Sequence, residues 1–178
     1  MNDERLFERL GGETVFDGKL FQVRVERFLY PDDEEVTREI VHHGGAVGVV
    51  AHDDLHVWLV RQPREAVGVP DLLEIPAGRL DVAGETPLAT GQRELAEEIG
   101  KSARTWEELG SYYSSPGFTD ERVHLFLATD LGDASADAAE NERIEVVPWP
   151  LERLDYAIGA SLDAKTLIGL MHLRYRRG

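Results

Sequence analysis

Glu94, Glu97 and Glu98 crowd into about one turn of any helix formed by Arg93-Glu94-Leu95-Ala96-Glu97-Glu98-Ile99-Gly100, and Asp81 and Glu85 precede them closely. Carboxylates at such spacing repel one another by Coulomb's law, and a solvated helix face has no use for the crowding. A divalent cation resolves it, because hard cations such as Mg²⁺ take carboxylate oxygens. Glu94 and Glu98, at i and i+4, share one helix face and are the first candidates for metal ligands. The competing account is a salt-bridged helix in which Arg93 pairs with Glu97. It serves for that pair alone and leaves Gly78, Glu85 and Gly100 as coincidences.

Gly78, Glu85, Arg93, Glu94, Leu95, Glu97, Glu98 and Gly100 together resemble the Nudix box, the signature of hydrolases that cleave nucleoside diphosphates linked to another group. At average residue usage the fixed positions coincide by chance in roughly one window in a hundred million, so the resemblance outweighs the bland account. The chain departs from the box twice. Six residues rather than five separate Gly78 from Glu85, and Lys101 stands where the box ends on an apolar residue. Loops tolerate added length, and a cation suits a helix C-terminus. The resemblance implies that Glu94 and Glu98 bind metal, joined by the backbone carbonyl of Ala77. It implies that Glu97 binds a further metal or positions water, and that Glu85 and Arg93 form an orienting pair. The cofactor it implies is Mg²⁺, or Mn²⁺ in its place.

A second group is Ser115-Pro116-Gly117-Phe118-Thr119-Asp120-Glu121, with Pro116 sixteen residues after Gly100. Alone, Ser-Pro-Gly reads as a turn. Beside the box, the offset resembles that of the ADP-ribose pyrophosphatase subfamily, in which a loop glutamate is the catalytic base. Glu121 matches that glutamate best, and Asp120 is its competitor. A mobile loop carboxylate can close on a water and take its proton.

Arg61-Gln62-Pro63-Arg64 is similar to a substrate-binding stretch of the family, with Pro63 in place of an aromatic residue. An arginine fork suits diphosphate oxygens. Arg64 is the stronger candidate; Arg61 reads equally well as a solvated strand end. In the subfamily the first strands swap between two subunits and supply base contacts. On that resemblance Arg38, Glu39 and Phe21 are substrate-binding candidates, together with Pro116 and Gly117 in the loop. Phe21 could stack on adenine, although an aromatic on a strand is more often core. His52-Asp53-Asp54-Leu55-His56 has metal-like spacing but falls in a hairpin rather than a helix, and reads as a turn. No histidine–acid signature accompanies Ser114 or Ser115, which argues against a serine nucleophile.

The elements that must position these residues follow from periodicity. Thr14–Asp17, Leu20–Tyr30 and Val36–His43 alternate as strands do, with turns at Asp17-Gly18 and Pro31–Glu35. Ala46–Ala51 and His56–Arg61 read as buried strands, and Pro70–Ile75 leads into Pro76-Ala77-Gly78. Thr86 and Pro87 start a helix as N-cap and first residue; it ends near Ile99, with Leu88, Leu95 and Ile99 directed to the core. Gly91 costs such a helix about 1 kcal/mol relative to Ala, which predicts close packing against a strand. Trp106–Tyr113, Arg122–Thr129 and Ile144–Trp149 read as strands. Asp130–Glu142 reads as a mobile acidic connection. Helices follow near Leu151–Ile158 and from about Asp163, the latter capped by Ser161.

The expected fold is α/β (α+β): the Nudix fold, a mixed β-sheet sandwiched between helices, with an N-terminal antiparallel β-sheet segment. Residues 1–45 are expected to form a dimerisation or swap segment and residues 46–178 the hydrolase domain. With 178 residues and a formal charge of −15, the chain can bury a core but lacks the basic surface that nucleic acid requires. It has no apolar run of membrane-spanning length, and Met1–Leu10 lacks a signal-peptide core. The absence of cysteine excludes disulfides and thiolate chemistry and fits a cytoplasmic address. The resemblance implies a homodimer that hydrolyses ADP-ribose or a related nucleoside diphosphate sugar to AMP and a sugar phosphate. The alternatives are a GDP- or UDP-sugar as substrate, or a non-catalytic nucleotide-sugar sensor. Sensors of this kind usually lose box carboxylates, all of which are present.

Overall fold

The structure is a computed structural model and describes residues 6–135 and 143–178. It divides into two compact units. The described residues up to Gly45, with Tyr113–Arg122, form the first; Ala46–Tyr112 with Val123–Gly178 form the second.

The first unit is a three-stranded antiparallel meander of β1 (Glu8–Asp17), β2 (Phe21–Leu29) and β3 (Glu35–His43). β1 starts earlier than its alternation predicts. Gly11 and Gly12 interrupt the pattern, and the strand absorbs them in a bulge where Gly11 takes a φ of 117°, a conformation open to glycine. The β2–β3 register sets Glu26 opposite Arg38 and Arg24 opposite Ile40. Arg24, Glu26, Phe28, Arg38, Ile40 and His42 therefore share one face, and Glu39 and Phe21 belong to the other.

The second unit is a seven-stranded mixed sheet. It contains β4 (Ala46–His52), β5 (His56–Arg64), β6 (Val69–Glu74), β7 (Ala77–Arg79), β8 (Lys101–Tyr113), β9 (Arg122–Asp133) and β10 (Glu145–Pro150). The path is β10-β5-β4-β9-β8, with β6 on β5 and β7 on β4; β4 and β9 run parallel. Helix α1 (Pro87–Ile99) covers one face, and α2 (Leu154–Ala160) and α3 (Ala164–Arg177) cover the other. Alternation along β4 divides its side chains between the two cores. Val49 and Ala51 pack with Leu95 and Ile99 of α1, while Val50 packs with Ile75, Leu170 and Leu173. Each such buried Val, Leu or Ile side chain is worth roughly 1.5–3 kcal/mol relative to exposure. This is the expected sandwich.

Gly91 behaves as its place in the helix predicts: a Cβ there would stand 3.3 Å from the methyls of Val47 and Val49. Gly169 plays the same part on the opposite face, where a Cβ would lie 2.7 Å from Val50. Leu88, by contrast, is only half-buried.

Boundaries in the second unit also differ from expectation. β8 begins at Lys101, because Gly100 turns the chain directly from helix to strand with a φ of 64°. β9 continues through Asp133, held where Thr105 donates to Asp130 (2.5 Å) and Lys101 pairs with Asp133 (2.8 Å). Residues 136–142 of the expected acidic connection lie outside the described residues. The cap of α3 is Asp163, not Ser161: its Oδ2 accepts from Thr166 N at 2.9 Å, three residues on, as an N-cap must. Ser161 instead closes α2. No described helix is long and apolar enough to cross a membrane.

Candidate active site

The helix that carries the acidic cluster is fixed at both ends by its own sequence. Thr86 Oγ1 accepts from Ala89 N at 3.2 Å with Pro87 in the first turn, and Gly100 closes the other end. Between them, Glu94 and Glu98 meet the backbone of β7. Glu98, only 8% exposed, accepts from Ala77 N at 3.0 Å. Glu94 lies directly over Gly78, where a Cβ would stand 2.0 Å from Glu94 Oε1 and 2.4 Å from its Cγ. Gly78 is thus required for space rather than for an unusual φ. Ala77, Gly78, Glu94 and Glu98 are brought to one place.

Arg93 gathers the remaining carboxylates. Its Nη1 lies 2.7 Å from Glu97 and 2.9 Å from Glu94, and its Nε 3.3 Å from Glu85. Thr90 Oγ1 donates to Glu85 at 3.0 Å. Burial by itself would lower the Arg93 pKa; the charges of Glu94, Glu85 and Glu97 outweigh it and raise it. Arg93 therefore relieves part of the crowding that the spacing of the glutamates creates. Among the described residues no three His, Asp or Glu side chains form a ready-made metal cage. The donor set at Ala77, Glu94 and Glu98 is nonetheless all oxygen, as a hard cation requires, and a Cβ at position 78 would fill the cradle that holds Glu94.

Gly78→Ala is expected to displace the Glu94 carboxylate and lower kcat/KM by about 10²-fold, the penalty of a misplacement near 1 Å. Steady-state kinetics beside a thermal melt test this. Wild-type activity would mean that Glu94 is not needed where it lies.

Lys101 accounts for its own departure from the box. Its Nζ sits 4.7 Å from the Trp58 ring centroid and 2.8 Å from Asp133. The aliphatic stem thus covers apolar surface while the charge stays paired.

Arg64 is engaged differently from the expectation of a free phosphate fork. Its Nε and Nη2 bind both oxygens of Glu74, at 2.5 and 2.8 Å. Its pKa is raised, chiefly by that hydrogen bond, with Glu98 and Asp163 adding to it. Glu74 is fully buried and also pairs with Lys165. Burial alone would raise the Glu74 carboxyl; Arg64 and Lys165 reverse the effect and hold it below the usual carboxylate range. Pro63 sits at a register slip between Gln62 and Arg64, where a missing N–H does least harm to a ladder. Arg61 Nη1 donates to the Asp71 carbonyl at 3.1 Å.

The segment joining Glu74 to Ala77 is pinned by α3 and by the backbone of β4. Ile75 N donates to Thr166 Oγ1 (2.9 Å), whose hydroxyl donates to Asp163 Oδ2 (2.6 Å), and Val49 N donates to the Pro76 carbonyl (2.8 Å). Thr166→Val keeps the shape and leaves the buried Ile75 N–H unpaired, so it is expected to cost about 1–3 kcal/mol. Urea unfolding measures it, and a loss below about 0.5 kcal/mol would show that the bond adds nothing.

In the first unit, the loop after β8 lies along β3. Asp120 is committed to that contact: Oδ1 accepts from His43 N at 2.8 Å, and Oδ2 is 2.5 Å from His42 Nδ1. Glu121 is tied through its backbone, its N donating to Thr119 Oγ1 (3.2 Å) and its carbonyl accepting from Ser114 N (3.0 Å). Its carboxylate lies 3.6 Å from His43 Nδ1. Beside this loop is a cleft of about 300 Å³ that brings together Arg38, Pro116 and Gly117 with Phe7, Phe28 and Tyr30. Phe7 packs edge-on to Phe28 at 5.4 Å and lies 6.0 Å from Tyr30. Phe21 and Glu39 do not line it; Phe21 pairs with Phe16 at 5.6 Å. The sequence reading missed the three aromatics, although Phe28 and Tyr30, two apart in the expected strand Leu20–Tyr30, carried a signal of a shared face; β2 itself ends at Leu29.

The His52–His56 segment is the expected turn. Asp53 accepts from Leu55 N, His56 N and Trp58 Nε1 at 2.7–2.9 Å.

A mixed sheet between helices, with glutamates from one helix gathered on a glycine strand, defines a class of hydrolase. The NUDIX domain family matches residues 42–167, and the chain belongs to it as a Nudix hydrolase. Its relatives include an ADP-ribose pyrophosphatase of Mycobacterium tuberculosis, 42% identical over 80% of this chain and 69% of that one. Another, from Bacillus subtilis, is 37% identical over 92% and 90%. A GDP-mannose pyrophosphatase of Cronobacter sakazakii is 34% identical over 78% of each chain. The fold is similar to that in a crystal structure of an ADP compounds hydrolase, with TM-score 0.84 and 23% identity over 97% of this chain and 94% of that one.

Proposed function

We propose that this chain hydrolyses the diphosphate of ADP-ribose, releasing AMP and ribose 5-phosphate. The gathering of Glu94 and Glu98 on Ala77-Gly78 carries the reading, and the names of the two relatives from M. tuberculosis and B. subtilis support the substrate. Glu94, Glu98 and the Ala77 carbonyl would hold Mg²⁺, or Mn²⁺, with Glu97 available for a second ion. When bound, the cation neutralises phosphate charge and lowers the pKa of a water.

The remaining roles fall to the chain's own groups. Arg93 keeps Glu85 and Glu97 in fixed orientation. Glu121 accepts the proton of the attacking water; Asp120 is the poorer base, because both of its oxygens are already engaged by His42 and His43. Arg64, its fork held by Glu74, serves less as a bidentate clamp than as a fixed positive charge toward the diphosphate. Arg38 and the aromatics Phe7, Phe28 and Tyr30 offer a charged edge and π faces to the nucleoside. Leu6, Phe7, Val15, Phe16 and Leu20 are all more than half exposed on the first unit, which supports the homodimer. The reading carries with it a cytoplasmic site of action.

The second reading is a GDP-sugar as substrate, favoured by the Cronobacter relative. A panel of ADP-ribose, GDP-mannose, UDP-glucose, NADH and ADP-glucose in Mg²⁺ decides. The proposal expects ADP-ribose to lead by at least about tenfold in kcat/KM, with AMP as product. A lead for GDP-mannose would keep the chemistry and replace the substrate. Tight binding without turnover would indicate a sensor.

A further inference from the structure

We propose that His42 is a positioning residue, a latch that holds the Ser114–Glu121 loop to β3 and thereby fixes the direction of Glu121. The catalytic consequence rests on the reading of Glu121 as proton acceptor; the latch does not.

The loop is laid against β3 by its backbone. Val41 N donates to the Phe118 carbonyl at 2.8 Å, and Asp120 N donates to the Val41 carbonyl at 3.2 Å. Val41 and Thr119 form a parallel bridge. These bonds bring Asp120 to the end of β3, where His42 and His43 take one carboxylate oxygen each. The imidazole of His42 has a second anchor: its Nε2 faces Glu26 Oε1 at 3.4 Å. Glu26 is 2% exposed and cannot follow the loop outward. Arg9 forks onto it, and Arg24 lies 2.9 Å from it. The Arg9 hydrogen bonds, partly offset by burial and aided by His42, hold the Glu26 carboxyl below its usual range, so it stays an anionic anchor. The line Arg9–Glu26–His42–Asp120 thus ties the buried Glu26 carboxylate to a loop whose other ties to β3 are backbone bonds and the contacts of Asp120 and Glu121 with His43.

Glu121 follows Asp120 directly. With Asp120 fixed at both its N–H and its carboxylate, the chain direction entering Glu121 is fixed as well. An untethered loop would sample other directions, and a proton acceptor works only within hydrogen-bond reach of its proton. His42 and Asp120 are 34% and 45% exposed, and exposed pairs add little to global stability. Loss of the latch should therefore act on the loop and not on folding.

The test uses the full chain with Mg²⁺ and compares wild type, His42→Ala and His42→Asn, alone and on Glu121→Gln. Hydrogen exchange read by mass spectrometry on peptides spanning residues 114–121 should accelerate in His42→Ala and recover in His42→Asn, whose amide can replace Nδ1. On ADP-ribose, His42→Ala should lower kcat about tenfold with KM changed less than about twofold, and the melting midpoint should stay unchanged. On Glu121→Gln the same change should move kcat by less than about twofold, because there is no longer a base to position. Unchanged exchange in the loop would overturn the latch. An equal loss of kcat in both backgrounds would overturn the positioning role. A wild type inactive on ADP-ribose would sink the substrate reading instead, and the exchange result would still decide the latch.

Discussion

Glu98→Gln is expected to lower kcat on ADP-ribose by about 10³-fold, roughly 4 kcal/mol of barrier, without unfolding the chain. The substitution is nearly isosteric. A glutamine at this position keeps an oxygen to accept from Ala77 N, so the 3.0 Å bond between α1 and β7 survives. What is lost is a negative charge on a nearly buried group, on the helix face it shares with Glu94. Removing one of two neighbouring like charges relieves repulsion. In the absence of metal the variant should melt no lower than wild type. That combination, better or equal folding with lost turnover, separates a ligand from a structural carboxylate. Calorimetric titration with Mg²⁺ should show weakened binding in parallel. Activity within about threefold of wild type would remove Glu98 from the ligand set.

Glu121→Gln should lower kcat by about 10²- to 10³-fold, the usual contribution of a positioned base, with KM changed little. The loop should keep its place, because the backbone of Glu121 is bonded to Thr119 Oγ1 and Ser114 N and a glutamine can still reach His43 Nδ1, 3.6 Å from the carboxylate. The limb of the pH–rate profile that reports the base should disappear. Asp120→Asn makes the contrast. It weakens the contacts to His42 and His43, so its smaller loss of activity should come with faster exchange in the loop and a retained base limb. If Asp120→Asn removed that limb and Glu121→Gln did not, the two roles would have to be exchanged.

What could be read from the sequence was local. Thr86 and Pro87 announce the start of α1, and Gly100 its end, because capping acts within one turn. Gly91 announces close packing because nothing else offsets its cost in mid-helix. The box glutamates reach their places because the helix period sets which of them share a face. What could not be read joins positions far apart. Ile75–Thr166 and Glu74–Lys165 are each separated by 91 residues, and His42–Asp120 by 78; no periodicity links such pairs. Arg64 has the chemistry of a phosphate fork, and only the fold reveals that Glu74 engages it. Ser161 and Asp163 are both good caps two residues apart, and the choice between them depends on which can reach Thr166. Alternation predicts β8 only from Trp106, because Lys101–Arg104 carries little of it, whereas the strand is set by the turn at Gly100.

The most direct test of metal-dependent diphosphate hydrolysis is AMP release from ADP-ribose by the wild-type chain, first freed of metal with a chelator and then titrated with Mg²⁺. The account predicts negligible release without the ion, saturable recovery on addition, and AMP with ribose 5-phosphate in equal amounts. Undiminished release from the metal-free chain would contradict it.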